Sequence, residues 1–233
     1  NFKAHTLLQN PNQKQPSINA YLGARYSRSA DSILDIAAEI MKNNTDASER
    51  LEKIFTGYGH KSVGDMADLF VCIENIPLYS AMRIFYLASV VAGQERSTRF
   101  QNFESPEFVH IPQEVCQDKE LIKEYEEIIL KQMDDYHDLL EPTRIALQNH
   151  FEIDMENAQE KSALQARAFD TARYLLPLGI QTSAGYLMSA RSWSEMISLL
   201  CASDSPSEKE IADLLLNLLG DSELKVEGYV REA

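Results

Sequence analysis

Residues 94–100, Gln-Glu-Arg-Ser-Thr-Arg-Phe, bring a carboxylate, hydroxyls and guanidinium groups together in one short segment. Ser97, the forked guanidinium of Arg99 and exposed backbone amides are the kinds of group that bind a phosphate monoester. In a solvated turn, however, Glu95 would simply pair with a neighbouring arginine, and such surface pairs contribute little to stability. For this segment taken alone, the solvated turn is the default interpretation and an anion site is the alternative.

Three further segments place a polar group beside apolar sequence. His60 and Ser62 precede a run of β-forming residues, so an imidazole and a hydroxyl are expected at the mouth of a buried strand. Arg173 and Arg191 each lie in an apolar segment, and a buried guanidinium must find an acceptor because an unpaired buried charge is costly. Taken singly, each has a structural explanation, namely a satisfied histidine or an arginine paired with a carboxylate such as Glu195.

Composition and charge limit the class of protein. A chain of 233 residues with 44% hydrophobic and 25% charged residues can bury a globular core. The formal net charge of -14 disfavours a nucleic-acid partner, whereas a small anionic ligand remains compatible with a local cluster of arginines. No apolar run approaches the ~18 residues that span a bilayer, so no membrane contact and a cytoplasmic location are expected. The 3 cysteines include no Cys-x-x-Cys pair, which predicts neither a disulfide framework nor a metal site.

Hydrophobic periodicity predicts a helix-rich α+β domain with few strands to position these groups. A first helix follows Ser29 and Asp31, either of which is a suitable cap, and residues 69–74 form a buried strand. Pro77 then opens a helix that is predicted to continue to Gly93, just before the charged segment. The apolar face of that helix is predicted to comprise Leu78, Met82 and Phe85.

The second half of the chain is predicted to be mainly helical, after a candidate edge strand at 108–111. A long amphipathic helix is expected over 121–140, with an inward face made of Ile122, Tyr125, Ile129, Met133 and Tyr136. Further helices are predicted through 157–175, from Trp193 to Leu200, and after a capping box that begins at Ser205. The chain has no GxGxxG, Walker A, GxSxG or HExxH pattern, so the common nucleotide-loop and hydrolase motifs do not explain it.

The polar segments, taken in order, resemble the flavin-dependent thymidylate synthase (ThyX) family over roughly residues 20–215. The segments that carry the resemblance are Ala24-Arg25-Tyr26-Ser27, Gly59-His60-Lys61-Ser62, Glu95-x-Ser97-x-Arg99, Ala172-Arg173-x-x-Leu176-Pro177 and Ala190-Arg191. Each segment is a weak signal, and their common order makes the case. The resemblance implies a helix-rich α+β domain around a small antiparallel or mixed sheet, spanning 20–220, with an N-terminal arm at 1–19 and a C-terminal tail at 221–233.

The family resemblance implies reductive methylation of dUMP to dTMP with FAD as cofactor and with NADPH and methylenetetrahydrofolate as co-substrates. By position, the expected contacts to the dUMP phosphate and sugar are Glu95, Ser97, Arg99 and Arg173. The expected contacts to FAD are Ser27, His60, Ser62 and Arg191. The flavin supplies the redox chemistry, so no side chain is assigned as a catalytic nucleophile.

The chain also departs from the family pattern. The family's Arg-His-Arg falls on Leu87-Ala88-Ser89 or on Tyr86-Leu87-Ala88, its late arginine falls on Leu200, and its Glu-His falls on Asp65-Met66. Family members are mainly homotetramers whose sites combine several subunits, so this chain is expected to keep one side of the site and to lack the other. We expect a homo-oligomer or a second ThyX-like domain to complete the site, and to cover the apolar helices at 82–91 and 193–200. The alternative is a non-catalytic ThyX-like nucleotide-binding or scaffold domain.

Overall fold

The computed structural model describes residues 2–6, 16–42, 61–87, 92–98, 103, 108 and 116–220. Helices dominate this part of the chain, around one small sheet. In chain order the elements are β1 (Lys3–Thr6), α1 (Pro16–Tyr26), α2 (Ile33–Lys42), a 3-10 helix (Lys61–Met66), β2 (Asp68–Pro77), α3 (Leu78–Leu87), β3 (Ala92–Glu95), α4 (Lys119–Phe151), α5 (Ala158–Ala172), a 3-10 helix (Arg173–Leu175), β4 (Gln181–Ser189), α6 (Ala190–Cys201) and α7 (Pro206–Gly220).

The chain divides into two compact units. The first unit takes its described residues from 1–75, 80–94 and 183–220, and the second takes them from 76–79 and 95–182. The single domain over 20–220 with flanking arm and tail stays a prediction. Within the described residues, no helix combines the length and the apolar composition that crossing a membrane requires.

The four strands form an antiparallel sheet in the order β1-β2-β4-β3. The predicted strand is confirmed as β2, in which Leu69, Val71 and Ile73 are fully buried. The sequence analysis missed β4, which lies between β2 and β3. A side chain at Gly185 of β4 would meet the Phe70 ring, since an added Cβ lies 2.7 Å from its Cζ. The missing side chain therefore lets β4 and Phe70 approach closely.

Two helices close the core of the first unit. In α6 the predicted apolar residues Trp193, Met196, Ile197 and Leu200 are fully buried, and the Trp193 indole N–H donates to the Leu69 carbonyl at 3.1 Å. The helix α7 packs on α6 and on β1. Ser205 accepts from the Glu208 backbone amide at 3.4 Å, as expected of a cap. The Glu208 carboxylate does not return to Ser205 but accepts from the Arg83 guanidinium at 3.2 Å.

The helix α3 differs from its prediction in length and in orientation. It ends at Leu87, and Gly93 belongs to strand β3 rather than to a continued helix. An added Cβ at Gly93 would lie 2.5 Å from the Phe85 ring, so a side chain there would displace that ring. The buried residues of α3 are Ser80, Ala81 and Ile84, whereas Met82 of the predicted apolar face is 39% exposed.

The start of the chain holds elements that were not predicted. Strand β1 pairs antiparallel with β2, and α1 begins within the stretch assigned to the arm. The first predicted helix is confirmed as α2, with Ile36 and Ile40 buried. Its cap is Ser32, whose hydroxyl accepts from the Leu34 amide at 3.2 Å. Of the two expected caps, Ser29 instead donates its hydroxyl to Asp31 at 2.7 Å.

The second unit is built on a pair of helices. The predicted long helix is confirmed as α4, whose 33 residues begin after the Asp118 cap, and it packs against α5. The predicted inward face is buried at Ile129, Met133 and Tyr136 and only half-buried at Ile122 and Tyr125. Met133 and Tyr136 form a core cluster with residues that follow α5, namely Leu176 and Ile180, and with Ala172. Phe108 forms an isolated antiparallel bridge with Ile180, and residues 109–111 of the predicted edge strand lie outside the described residues.

Candidate functional site

The predicted ligand contacts whose side chains the structure describes fall into the two units by type. The structure describes the side chains of Ser27, Glu95, Ser97, Arg173 and Arg191. Of Ser62 it describes only the backbone, within the first 3-10 helix, and His60 and Arg99 lie outside the described residues. Glu95, Ser97 and Arg173 of the expected dUMP set belong to the second unit, whereas Ser27 and Arg191 of the expected FAD set belong to the first.

Glu95 is the last residue of β3 and is half-buried. Its Oε1 atom is buried and has no hydrogen-bond partner among the described residues. Burial raises the pKa of Glu95, and the side chain of Thr182, in the adjacent strand β4, opposes that rise. A buried acceptor without a partner is uncommon in a folded protein, and Glu208 Oε2 is the other such atom found among the described residues.

Arg173 lies at the start of the second 3-10 helix with an exposed guanidinium. Its Nη1 atom is 3.4 Å from Asp170 Oδ1, and its Cζ atom lies 5.8 Å from the centre of the Tyr174 ring. An exposed ion pair of this kind is weak, so a phosphate could replace Asp170 at little cost. Ser97, two residues beyond β3, is also exposed. The expected convergence of Arg99 and Arg173 on one anion stays a prediction.

Arg191 occupies the first turn of α6 and is held by two carboxylates. Its Nε donates to Glu195 at 3.2 Å, and its Nη1 donates to Asp65 at 3.1 Å. Hydrogen bonding to Glu195, followed by the charge of Asp65, raises the pKa of Arg191. The pairing with Glu195 is the structural alternative that the sequence offered. A role for Arg191 in binding FAD stays a prediction.

Ser27 follows the end of α1 and caps it. Its hydroxyl donates to the Ala24 carbonyl at 3.1 Å, and Arg28 donates to the same carbonyl at 2.7 Å. Both side chains thus satisfy a carbonyl that the helix end leaves without an amide partner. A contact between Ser27 and FAD is likewise untested.

The positions that depart from the family pattern have different surroundings. Leu200, where the family's late arginine falls, is fully buried in the core. Tyr86 is 82% exposed and Leu87 is half-buried at the end of α3, while residues 88–90 lie outside the described part of the chain. The expectation that the helix at 193–200 needs a partner to cover it is wrong, because the buried face of α6 is covered within this chain.

Sequence reasoning missed Thr182. It is 5% exposed and lies in β4, a strand of small and polar residues that carries no hydrophobic alternation. Only the strand order, which puts β4 next to β3, places the strand of Thr182 beside the strand of Glu95. The described residues contain no group of three or more His, Cys, Asp or Glu side chains arranged to hold a metal ion.

Comparison with known proteins identifies the family. The model of the family described as "Thymidylate synthase complementing protein" matches residues 6–221. A curated relative, UPF0159 protein Ta1429 from Thermoplasma acidophilum, is 24% identical over an alignment of 230 residues, and the match covers 86% of this chain. This chain spans less than half, 46%, of the length of that relative. The family match covers nearly all of the chain, and the chain therefore belongs to the thymidylate synthase complementing protein (ThyX) family.

Proposed function

We propose that this chain forms the dUMP-binding half of a flavin-dependent thymidylate synthase, which reductively methylates dUMP to dTMP with FAD, NADPH and methylenetetrahydrofolate. The observation that carries the proposal is the carboxyl group of Glu95 in a chain of the ThyX family. Glu95 belongs to the Glu-x-Ser-x-Arg segment, is half-buried at the end of β3, and keeps a buried Oε1 without a partner among the described residues. That is the state expected of an acceptor whose partner is a ligand.

The proposed contacts to dUMP are Glu95, Ser97, Arg99 and Arg173. Two guanidinium groups and a hydroxyl would bind a dianionic phosphate through charge-assisted hydrogen bonds of about 1.5–3 kcal/mol each. The exposed guanidinium of Arg173 supports this role, because its ion pair with Asp170 is weak and easily exchanged for a phosphate.

The described part of the proposed FAD set does not by itself fit a flavin dinucleotide. Its cation, Arg191, pairs with two exposed carboxylates, Asp65 and Glu195, whereas Arg173 pairs with one, and the hydroxyl of Ser27 is engaged by a backbone carbonyl. A diphosphate brought to Arg191 would meet two carboxylates of its own sign. FAD, which supplies the redox chemistry when bound, would therefore depend on groups outside these residues.

We propose that a second ThyX-like domain supplies the missing cations, either as another copy of this chain or as a separate domain. Two observations support this. The chain corresponds to 46% of the length of the Ta1429 relative. Uncharged residues, Leu87-Ala88-Ser89 or Tyr86-Leu87-Ala88, also stand where the family has its Arg-His-Arg. In a desolvated site each lost charge-assisted contact should weaken transition-state stabilisation by ~2–4 kcal/mol, or roughly 30- to 1,000-fold in rate. The chain alone should therefore bind dUMP and make little or no dTMP.

Calorimetric titration of dUMP tests the binding half of the proposal. Arg173→Ala should weaken binding by roughly 10- to 150-fold through loss of one charge-assisted contact, and Arg99→Ala should abolish it. Arg167→Ala is the matched control. Arg167 is exposed in the same unit and lies 5.2 Å over the Phe151 ring, so its removal should leave dUMP affinity unchanged.

Tritium release from labelled dUMP, measured with and without a companion ThyX-like domain, tests the catalytic half of the proposal. Absorbance at the flavin bands, measured with and without added FAD, tests whether the protein binds the flavin. Full turnover by the chain alone would show that the Arg-His-Arg comparison is misaligned. The second candidate function is a non-catalytic scaffold, which the burial of Leu200 at the late-arginine position favours. Absence of dUMP binding even with the companion present would support that candidate.

A further inference from the structure

His137 of α4 hydrogen-bonds the main chain of a residue that is distant from it in sequence. Its Nε2 atom lies 2.9 Å from the carbonyl oxygen of Phe103, and both residues belong to the second unit. A carbonyl oxygen only accepts hydrogen bonds, so Nε2 carries the proton and donates. The half-buried imidazole therefore ties the main chain at residue 103 to the middle of the long helix.

The side chain of Phe103 is attached to the same helix. Its ring lies edge-on to the ring of Tyr136, with 5.9 Å between the ring centres, and it packs against the core cluster that contains Met133 and Tyr136. Tyr136 is 1% exposed, so its ring is fixed by its surroundings. Consecutive residues of α4, Tyr136 and His137, thus hold the ring and the carbonyl of Phe103.

Phe103 closes the segment that carries Glu95, Ser97 and Arg99 of the proposed dUMP contacts. The other end of this 95–103 segment is Glu95, the last residue of β3, and β3 is held in the sheet by β4. Arg99 is four residues from either end, so covalent geometry alone keeps it within roughly 14 Å of Phe103. A segment held at both ends has less conformational freedom to lose when it binds a ligand.

We infer that His137 is a positioning residue, whose hydrogen bond to the Phe103 carbonyl fixes the far end of the 95–103 segment and so lowers the ordering cost of binding dUMP. This inference rests on the proposed function. The imidazole acts through the main chain of Phe103 and is assigned no contact with the nucleotide.

The first test compares His137→Leu, which removes the donor, with His137→Gln, which keeps an N–H donor at similar reach. Calorimetric titration should show about fivefold weaker binding of dUMP to His137→Leu and near wild-type binding to His137→Gln. His150→Leu is the matched control, because His150 is an exposed histidine of the same helix, with its ring beside that of Phe151. It should bind dUMP as the wild-type protein does.

A variant that only weakens the packing of α4 separates positioning from general stability. Ile129→Ala removes a buried side chain of the same helix and leaves His137 and Phe103 in place. At a temperature where all variants are folded, Ile129→Ala should keep the wild-type affinity for dUMP. Equal losses of affinity in Ile129→Ala and His137→Leu, or in His137→Gln and His137→Leu, would overturn the inference.

The second test needs no nucleotide. Trypsin cleaves after arginine, and Arg96 and Arg99 lie within the 95–103 segment. Limited proteolysis of the native protein, with the sites assigned by mass spectrometry, should be faster at these two residues in His137→Leu and unchanged in His137→Gln. Cleavage after Arg167, which is exposed on α5 of the same unit, is the internal reference and should not change.

An unchanged cleavage rate at Arg96 and Arg99 in His137→Leu, or an equal rise at Arg167, would overturn the inference. If the wild-type protein does not bind dUMP, the proposed function fails. Faster cleavage confined to the 95–103 segment of His137→Leu would still support the anchoring of that segment by His137.

Discussion

Substitution of Ile129 by alanine tests how the second unit is held together. Ile129 lies on the inner face of α4 and is 3% exposed. Its Cδ1 atom reaches to 3.0 Å from where a Cβ on Gly179 would lie, so its side chain fills the space beside the chain segment that leads into β4. The preceding residue, Ile128, has the same side chain on the same helix but is 53% exposed. The pair is therefore matched in residue type and in helix, and differs in burial.

The expected loss in the free energy of unfolding follows from the number of carbon atoms removed. Replacing isoleucine by alanine removes three buried carbons, worth about 0.8 kcal/mol each in transfer free energy, or ~2.4 kcal/mol. The cavity that remains adds to this, giving an expected loss of ~2–5 kcal/mol in the free energy of unfolding for Ile129→Ala. Ile128→Ala should change that free energy by less than ~0.5 kcal/mol, because no buried contact is lost and alanine is the better helix former.

Urea unfolding followed by far-ultraviolet circular dichroism measures both variants. The signal is dominated by helices, and α4 and α5 lie in the unit where the change is made. The denaturant midpoint should fall for Ile129→Ala and stay in place for Ile128→Ala, with similar m-values. A loss below ~0.5 kcal/mol for Ile129→Ala, or equal losses in the two variants, would refute the burial argument.

Three further predictions concern other buried sites. Gly179→Ala should destabilise the protein by ~1–3 kcal/mol, measured by urea unfolding, because its Cβ would lie 2.6 Å from the Tyr125 hydroxyl; an unchanged midpoint would show that the ring moves freely. Glu95→Gln should raise stability at neutral pH. Because the folded-state pKa of Glu95 is raised, the wild-type protein loses stability as pH rises through that pKa. The gain in stability from Glu95→Gln should therefore shrink towards acid pH. A gain that does not vary with pH would contradict the raised pKa of Glu95. Glu208→Ala should cost ~1–3 kcal/mol, because it leaves the Arg83 guanidinium without its buried acceptor, and a melting temperature equal to wild type would argue against that contact.

Sequence patterns predicted the elements whose apolar residues follow a regular period. The helices α4, α6 and α7 each carry a stripe at helical spacing, and β2 alternates between a fully buried and a partly buried face. These patterns identify the elements because burial on one face is itself periodic.

The elements that were missed depend on neighbours rather than on their own residues. Strand β4, Gln-Thr-Ser-Ala-Gly-Tyr-Leu-Met-Ser, is rich in small and polar residues, and it is central because β2 and β3 flank it. Strand β3, Ala-Gly-Gln-Glu, has little intrinsic preference for extended structure and forms by pairing with β4. Local propensity cannot report such pairing, so β3 was predicted as the end of a helix.

In the candidate site, too, local sequence patterns predicted the residues but not their neighbours. The family segments predicted which polar residues to consider, and they could not give the partners of those residues. Thr182 and Glu95 are distant in sequence, and their strands become neighbours only through the strand order of the sheet. The sequence suggested Glu195 as a partner of Arg191 from helical spacing, but the second partner, Asp65, comes from a separate segment.

The single tryptophan of the chain gives this protein a built-in optical reporter. Trp193 is fully buried, its indole N–H is bonded to the Leu69 carbonyl, and its ring lies edge-on to Tyr186 at 6.4 Å. Its fluorescence emission should therefore lie at short wavelength in the native protein and move to longer wavelength when water reaches the ring. Because Trp193 belongs to the first unit, the emission colour reports on the core of that unit without any label or substitution.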